Sequence, residues 1–265
     1  SLIKNSNSLI QAVINHGFNG KWFIRAYLKD GRKLGDEGAG SCEIDSLSQS
    51  FAVFADLPDK DKRKTSLMHA VMHLVDYENQ IVKLFTPAFA KYDPDIGYTS
   101  AYPVGVRENG GQYTHAAIWL SAALLKDGFT TEGYDILRLV NPYEKYKQGL
   151  GNVYKTEPYA LCGDVYGDTA PGRGGWSLYT GAAAWYYKTV YEELFGIKQR
   201  DKKLIIRPAF PEFWNECSIT LNIDNKSIRI QYKRSEENSL LVDGRHAEFI
   251  PLDGDNHEAL VKFNN

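Results

Sequence analysis

The sequence is poor in sulfur, with three cysteines and two methionines in 265 residues. Cys42, Cys162 and Cys217 lie far apart with no paired spacing. That pattern excludes both a disulfide framework and a cysteine zinc knuckle, and it points to a reducing, cytoplasmic compartment. No apolar run approaches the length of a membrane span. There is no excess of either charge: 31 Lys and Arg against 33 Asp and Glu leave a formal net charge of -2. An electrostatic grip on nucleic acid or on an anionic membrane surface is therefore not expected. The start, Ser1-Leu2-Ile3-Lys4, has neither an initiator Met nor a signal-peptide layout, so an excerpt of a longer protein is expected.

What is present is globular. Hydrophobic residues make up 43% and charged residues 24%, enough for a genuine core in one large domain or in a domain with a small appendage. Aromatics reach 13%, with 17 Tyr and 5 Trp; such rings suit sugar faces as well as ordinary cores. Helical periodicity is expected over 8–16, from Leu47 past Phe54, over 59–80, 115–126 and 131–140, and from Thr180 to about Phe195. Residues 81–102 and 143–154 are expected as loops, and Glu157-Pro158-Tyr159 as a helical turn. From Lys203 onward the pattern changes to short β-rich runs around Leu204–Ile206, Ser218–Ile223, Ser227–Tyr232, Leu240–Val242 and Glu248–Ile250, separated by Asp-Asn and Asp-Gly turns. The expected architecture is mainly α. Residues 1–200 would form successive helix pairs of an incomplete α/α toroid, and residues 201–265 a small all-β domain.

One stretch has a composition that packing alone does not require. Arg107-Glu108-Asn109-Gly110-Gly111-Gln112-Tyr113-Thr114-His115 crowds charges, amides, hydroxyls, a glycine pair and a histidine between a turn and an apolar run. Polar loop residues among glycines serve ligands more often than packing. Glu108, Gln112 and Thr114 offer donors and acceptors to hydroxyl groups, and a protonated His115 would bond an anion. A polar turn capping the following helix is the plain alternative.

Thr180-Gly181 opens a helix, where a hydroxyl and free backbone N–H groups suit an anion, although Thr caps helices routinely. Arg173 stands between glycines just before it. His69 and His73 share a helix face at i and i+4, but Ala70-Val71-Met72 lies between them without the glutamate of a zinc-protease helix, so no metal site is expected. Glu43 with Asp45, and Glu157 with Asp164, are carboxylate pairs whose separation in space linear order does not give.

Val106 to Trp119, read together with Arg173-Gly174-Gly175-Trp176-Ser177-Leu178-Tyr179-Thr180-Gly181, resembles the inverting glycoside phosphorylases of glycoside hydrolase family 94, formerly glycosyltransferase family 36. That family includes cellobiose, chitobiose and laminaribiose phosphorylases and the C-terminal region of cyclic β-1,2-glucan synthases. Motifs at Trp22–Tyr27, Ile44–Ser46, Thr86-Pro87, Asp95–Tyr98 and Glu157–Tyr159 follow in the family's order, so the resemblance runs from about Gly20 to Phe213.

The resemblance implies the C-terminal part of an (α/α)6 barrel followed by a β domain. It implies phosphate binding at His115, Thr180 and Gly181, and acceptor-sugar binding at Glu108, with Arg107, Gln112 and Tyr113 beside it. Inorganic phosphate would be the co-substrate, a β-linked gluco-oligosaccharide the other, and no cofactor is implied. The family's general acid is the Asp of a Trp-Asn-Asp-Gly motif, which does not occur here; Trp214-Asn215 continues as Glu216-Cys217. The expectation is a C-terminal fragment that is inactive alone, cytoplasmic, or membrane-associated if its parent is a cyclic glucan synthase. A homo-oligomer or an N-terminal partner chain would cover its open apolar faces. A non-catalytic carbohydrate-binding or barrel-completing module is the alternative, and a hydrolase on a similar toroid a third.

Overall fold

A computed structural model of the chain describes residues 2–178 and 180–264. The helices are α1 (Leu2–His16), α2 (Ser46–Phe54), α3 (Lys60–Leu74), α4 (Tyr98–Ala101), α5 (Thr114–Lys126), α6 (Thr130–Val140), α7 (Pro142–Lys147), α8 (Gly151–Tyr154) and α9 (Ala182–Lys188). The last continues as a π-helical stretch, Thr189–Leu194. Asp45 caps α2 through the backbone N–H of Leu47, and Asp59 caps α3 through that of Lys62.

At the centre lies α5, whose Ala116, Ala117, Ile118, Leu120, Ala123 and Leu124 are buried on nearly every side. A helix apolar all round belongs inside a core, and α2, α6 and α9 pack around this one. Leu67, Leu74, Ile136 and Val140 complete the same cluster.

The expectation of a mainly α toroid segment followed by an all-β domain is corrected. Among the described residues helix accounts for 34% and strand for 24%, and the strands fall into six small sheets. Two-residue strands pair outside the β-rich runs expected after Lys203: β1 (Ala26–Tyr27) with β2 (Lys33–Leu34), β3 (Ile44–Asp45) with β6 (Phe85–Thr86), β4 (Val75–Asp76) with β5 (Ile81–Val82), and β7 (Gln112–Tyr113) with β8 (Asp164–Val165). For β3, β5, β7 and β8 the cause is burial. Ile44, Asp45, Ile81, Val82, Gln112 and Val165 are all nearly solvent-free, and buried backbone must find hydrogen-bond partners.

The remaining strands are β9 (Ile197–Arg200), β10 (Lys203–Ile206), β11 (Glu216–Ile223), β12 (Lys226–Arg234), β13 (Ser239–Val242), β14 (Arg245–His246), β15 (Ile250–Pro251) and β16 (His257–Phe263). They form a sheet of order β15-β10-β9 and a second of order β11-β12-β16-β13-β14, in which β12 and β16 run parallel. Along β12 the side chains of Ile228, Ile230 and Tyr232 turn inward and alternate with exposed Arg229, Gln231 and Lys233. The inward face joins Phe210, Leu194, Leu137 and Leu125 in a second apolar cluster, so the sheet rests on the ends of α5 and α6.

Candidate functional site

The Arg107–His115 stretch folds as a tight loop entering β7 and then α5. Asn109 is fully buried; its side-chain oxygen accepts from the Phe89 N–H at 2.8 Å and its Nδ2 donates to the carbonyls of Phe89 and Tyr102. Gln112 is equally committed, accepting from the Val82 N–H at 3.0 Å and donating to Thr114 Oγ1 at 3.0 Å. The glycine pair serves the same scaffold. A Cβ at Gly110 would meet Ala88 Cβ at 2.7 Å, and one at Gly111 the Gly105 carbonyl at 2.7 Å.

Register then brings in a distant segment. In the β7–β8 pair Tyr113 lies opposite Asp164, and on the far edge of β8 the Gly175 N–H donates to the Asp164 carbonyl at 2.9 Å. The glycine-rich loop is thus the third layer of a small platform. A Cβ at Gly175 would come within 2.3 Å of Asp164 Oδ1, so a side chain there would push the carboxyl group aside.

Above this platform is a cleft of about 520 Å³ lined by Arg107, Tyr113, His115, Gly163, Asp164, Trp176, Leu178, Thr180 and Gly181. Five residues given binding roles by the resemblance, Arg107, Tyr113, His115, Thr180 and Gly181, therefore meet in one place, with Asp164 of the second carboxylate pair beside them. Glu108 does not line this cleft. It lines an adjoining one of about 620 Å³ with Arg25, Asp45, Tyr98 and Trp119, and Tyr113 and His115 face both. Gln112 is absent from the lining of either, as is Glu157.

His115 sits in the first turn of α5, its ring tilted against Trp119 at 4.7 Å and Trp185 at 5.9 Å between centroids. Burial lowers its pKa below the ordinary imidazole value, so the ring is neutral at pH 7 and presents one N–H. Its Nε2 has no hydrogen-bond partner in the protein. A Cβ at Gly181 would stand 3.2 Å from His115 Cε1, so the backbone at that position lies close against the ring.

Thr180 Oγ1 accepts from the Ala182 N–H at 2.9 Å, which leaves its hydroxyl proton to be donated elsewhere. Arg107, at φ +51°, holds its guanidinium 4.7 Å from the ring centre of Trp176 and 5.1 Å from that of Tyr102, with Glu108 Oε2 3.9 Å from its Nε. The rings fix the cation without neutralising it. Glu108 Oε2 and Asp164 Oδ2 are buried without a hydrogen-bond partner, and each such oxygen costs about 1–3 kcal/mol.

In the adjoining cleft Arg25 Nη1 reaches Asp45 Oδ2 at 2.5 Å. Burial pushes the Asp45 pKa up against the opposing pull of that guanidinium. His69 and His73 lie elsewhere, stacked on each other and edge-on to Trp22. Trp176 and Leu178 stand in the Arg173–Gly181 stretch that carries the resemblance but have no assigned part there, and Asp164 carries no motif of its own; only the β7–β8 pairing draws it in.

A guanidinium, a hydroxyl and an unsatisfied carboxylate thus gather beside aromatic rings in one polar cleft. Residues 2–196 match the family described as "Glycosyl hydrolase 94 superfamily, catalytic domain", and the chain belongs to that family. It is 37% identical over 236 residues to cyclic beta-(1,2)-glucan synthase NdvB of Rhizobium meliloti (strain 1021), covering 88% of this chain and 8% of that protein. It is 27% identical over 254 residues to solabiose phosphorylase of Paenibacillus borealis, covering 92% and 33% respectively. N,N'-diacetylchitobiose phosphorylase of Vibrio furnissii is 25% identical over 239 residues, covering 88% and 29%. The chain thus spans a third or less of the length of these relatives. Among the described residues no helix is long and apolar enough to cross a membrane.

Proposed function

We propose that this chain supplies the phosphate and acceptor-sugar side of the active site of an inverting β-glucoside phosphorylase or of a cyclic β-1,2-glucan synthase. The observation that carries the reading is the convergence of Arg107, Tyr113, His115, Thr180 and Gly181, from segments far apart in sequence, on one cleft. In phosphorolysis a carboxylic acid protonates the glycosidic oxygen while phosphate attacks the anomeric carbon from the opposite face, so the sugar 1-phosphate has inverted configuration.

Here a ring N–H of His115 and the Thr180 hydroxyl donate to the phosphate oxygens, and the Arg107 guanidinium, held against two rings, offsets their charge. Glu108, in the adjoining cleft, accepts from a hydroxyl of the acceptor sugar. No cofactor takes part. The general acid of the family belongs to a Trp-Asn-Asp-Gly motif not found in these 265 residues, so the chain by itself is expected to bind without turning over.

Incubation with β-1,2-, β-1,3- and β-1,4-linked glucose disaccharides and phosphate should release no glucose 1-phosphate above a His115→Ala control. In the same preparations His115→Ala should weaken phosphate binding about tenfold or more, read by calorimetry. Turnover well above the control, or phosphate affinity unchanged in the variant, sinks the reading.

A second reading is a module that binds carbohydrate or completes a site with another chain. It is favoured by a run of rings that leads from His115 through Trp119, 5.3 Å from Phe51, to the surface, where Phe51 is half exposed. Self-association or capture of a partner in light scattering would favour it; a strictly monomeric species would count against it.

A further inference from the structure

Asp164 stands out among the groups that the proposed roles leave unused. The residue is 3% exposed, in the wall of the cleft that also holds His115, Arg107 and Thr180. Oδ1 accepts from the Trp176 N–H at a long 3.2 Å, and Oδ2 has no hydrogen-bond partner. A carboxylate that served packing alone would have both oxygens satisfied, since burial makes an unmet acceptor expensive. Nor does this one suit phosphate, because two anions side by side repel. A hydroxyl group is the fitting partner: it donates to a carboxylate in a short, charge-assisted bond. Trp176, half exposed, and Tyr113 add apolar ring surface in the same cleft, the pairing of ring and acceptor that a sugar uses.

We infer that Asp164 is a saccharide-binding residue, accepting a hydrogen bond from a hydroxyl of a neutral β-linked gluco-oligosaccharide held in the same cleft as phosphate. The inference rests on the reading of this cleft as a phosphate and sugar site, and it assigns the sugar a contact there in addition to Glu108. It also gives Gly175 a purpose. A side chain at that position would displace the carboxyl group, whose Oδ1 lies 2.3 Å from where a Cβ would stand.

The test is calorimetric titration of the chain with a neutral β-linked glucose disaccharide and, separately, with inorganic phosphate. Asp164→Asn keeps the shape and removes the charge. It should weaken the disaccharide about tenfold and tighten phosphate a few-fold, because an anion leaves the cleft. Gly175→Ala should weaken the disaccharide similarly without tightening phosphate, since no charge is lost. A merely structural Asp164 would weaken both ligands together when replaced. That result, a disaccharide affinity within twofold of wild type in Asp164→Asn, or no disaccharide binding by the wild type overturns the inference. Absence of phosphate binding to the wild type sinks the phosphate assignment instead, and leaves the disaccharide titrations to decide on Asp164. Near-UV circular dichroism of each variant separates a lost contact from a lost fold.

Discussion

Individual residues in this chain divide into those that face the clefts and those that build them, and sequence does not separate the two. Within Arg107–His115, Asn109 and Gln112 have the same polar character as Glu108 and His115, yet their amides are spent on backbone groups inside the loop. Asp164 was legible only as a carboxylate in a linear pair, because its place opposite Tyr113 is a matter of register across some fifty residues of chain. Two predictions belong at this scale. Sulfate keeps its charge between about pH 5 and 8, the range in which histidine titrates. Burial holds the free His115 below its usual pKa, whereas a dianion beside the ring favours its protonated form, so sulfate affinity should increase as pH falls through that range; a flat profile in calorimetry would argue that the imidazolium is not involved. Arg63 and Asp127 form a buried two-pronged pair at 2.9 and 2.8 Å, with the third guanidinium contact to the Leu57 carbonyl. Asp127→Ala leaves that cation unpaired and should lower stability by about 3–5 kcal/mol in urea denaturation.

At the scale of elements, long periodic segments were the readable ones. α5 and α6 each begin one residue before the expected start and end where expected, since a 3.6-residue apolar period over three turns admits few alternatives. The helix expected over 59–80 ends at Leu74, because Val75–Asp76 pairs with Ile81–Val82 instead. Short helices fill 142–147 and 151–154, where a loop was expected, and no helix forms at Glu157–Tyr159. Strands of two residues carry no period to read, whereas β16, outside the expected β-rich runs, alternates plainly in its burial. The junction between the last helical turn and β9 depends on Gly196, at φ +67°, where a Cβ would lie 1.8 Å from the Arg207 carbonyl oxygen. Gly196→Ala should therefore cost about 4 kcal/mol or more, visible as a large fall in thermal midpoint; an unchanged midpoint would mean that the junction is looser than its geometry.

The molecule as a whole is a mixed α and β assembly whose C-terminal sheet is fastened by one histidine. His257 opens β16 and is almost fully buried; its Nδ1 is 2.7 Å from Asp243 Oδ2 and its Nε2 3.0 Å from Asp253 Oδ1, an arrangement that suits the doubly protonated ring. Burial alone would lower its pKa, but the two carboxylates overcome this and raise it. The Asp243 pKa is lowered by the Glu258 N–H and by His257, and the Asp253 pKa chiefly by His257. The histidine's contribution is complete below its unfolded pKa and is lost as pH rises through the raised folded value; the aspartates' contribution is present above their unfolded pKa and lost as pH falls through the lowered ones. Stability should fall on both the alkaline and the acid side of this window, and His257→Gln should flatten the alkaline limb in urea titrations across pH. The clasp sits at the start of a strand with an unusual position. β16 lies between β12 and β13 in the five-stranded sheet, although it follows both in the chain. On a ribosome, strands β11 to β14 must therefore wait in two separate hairpins until residues 257–263 emerge between them, and any nascent chain cut short before that point releases two unsealed edges.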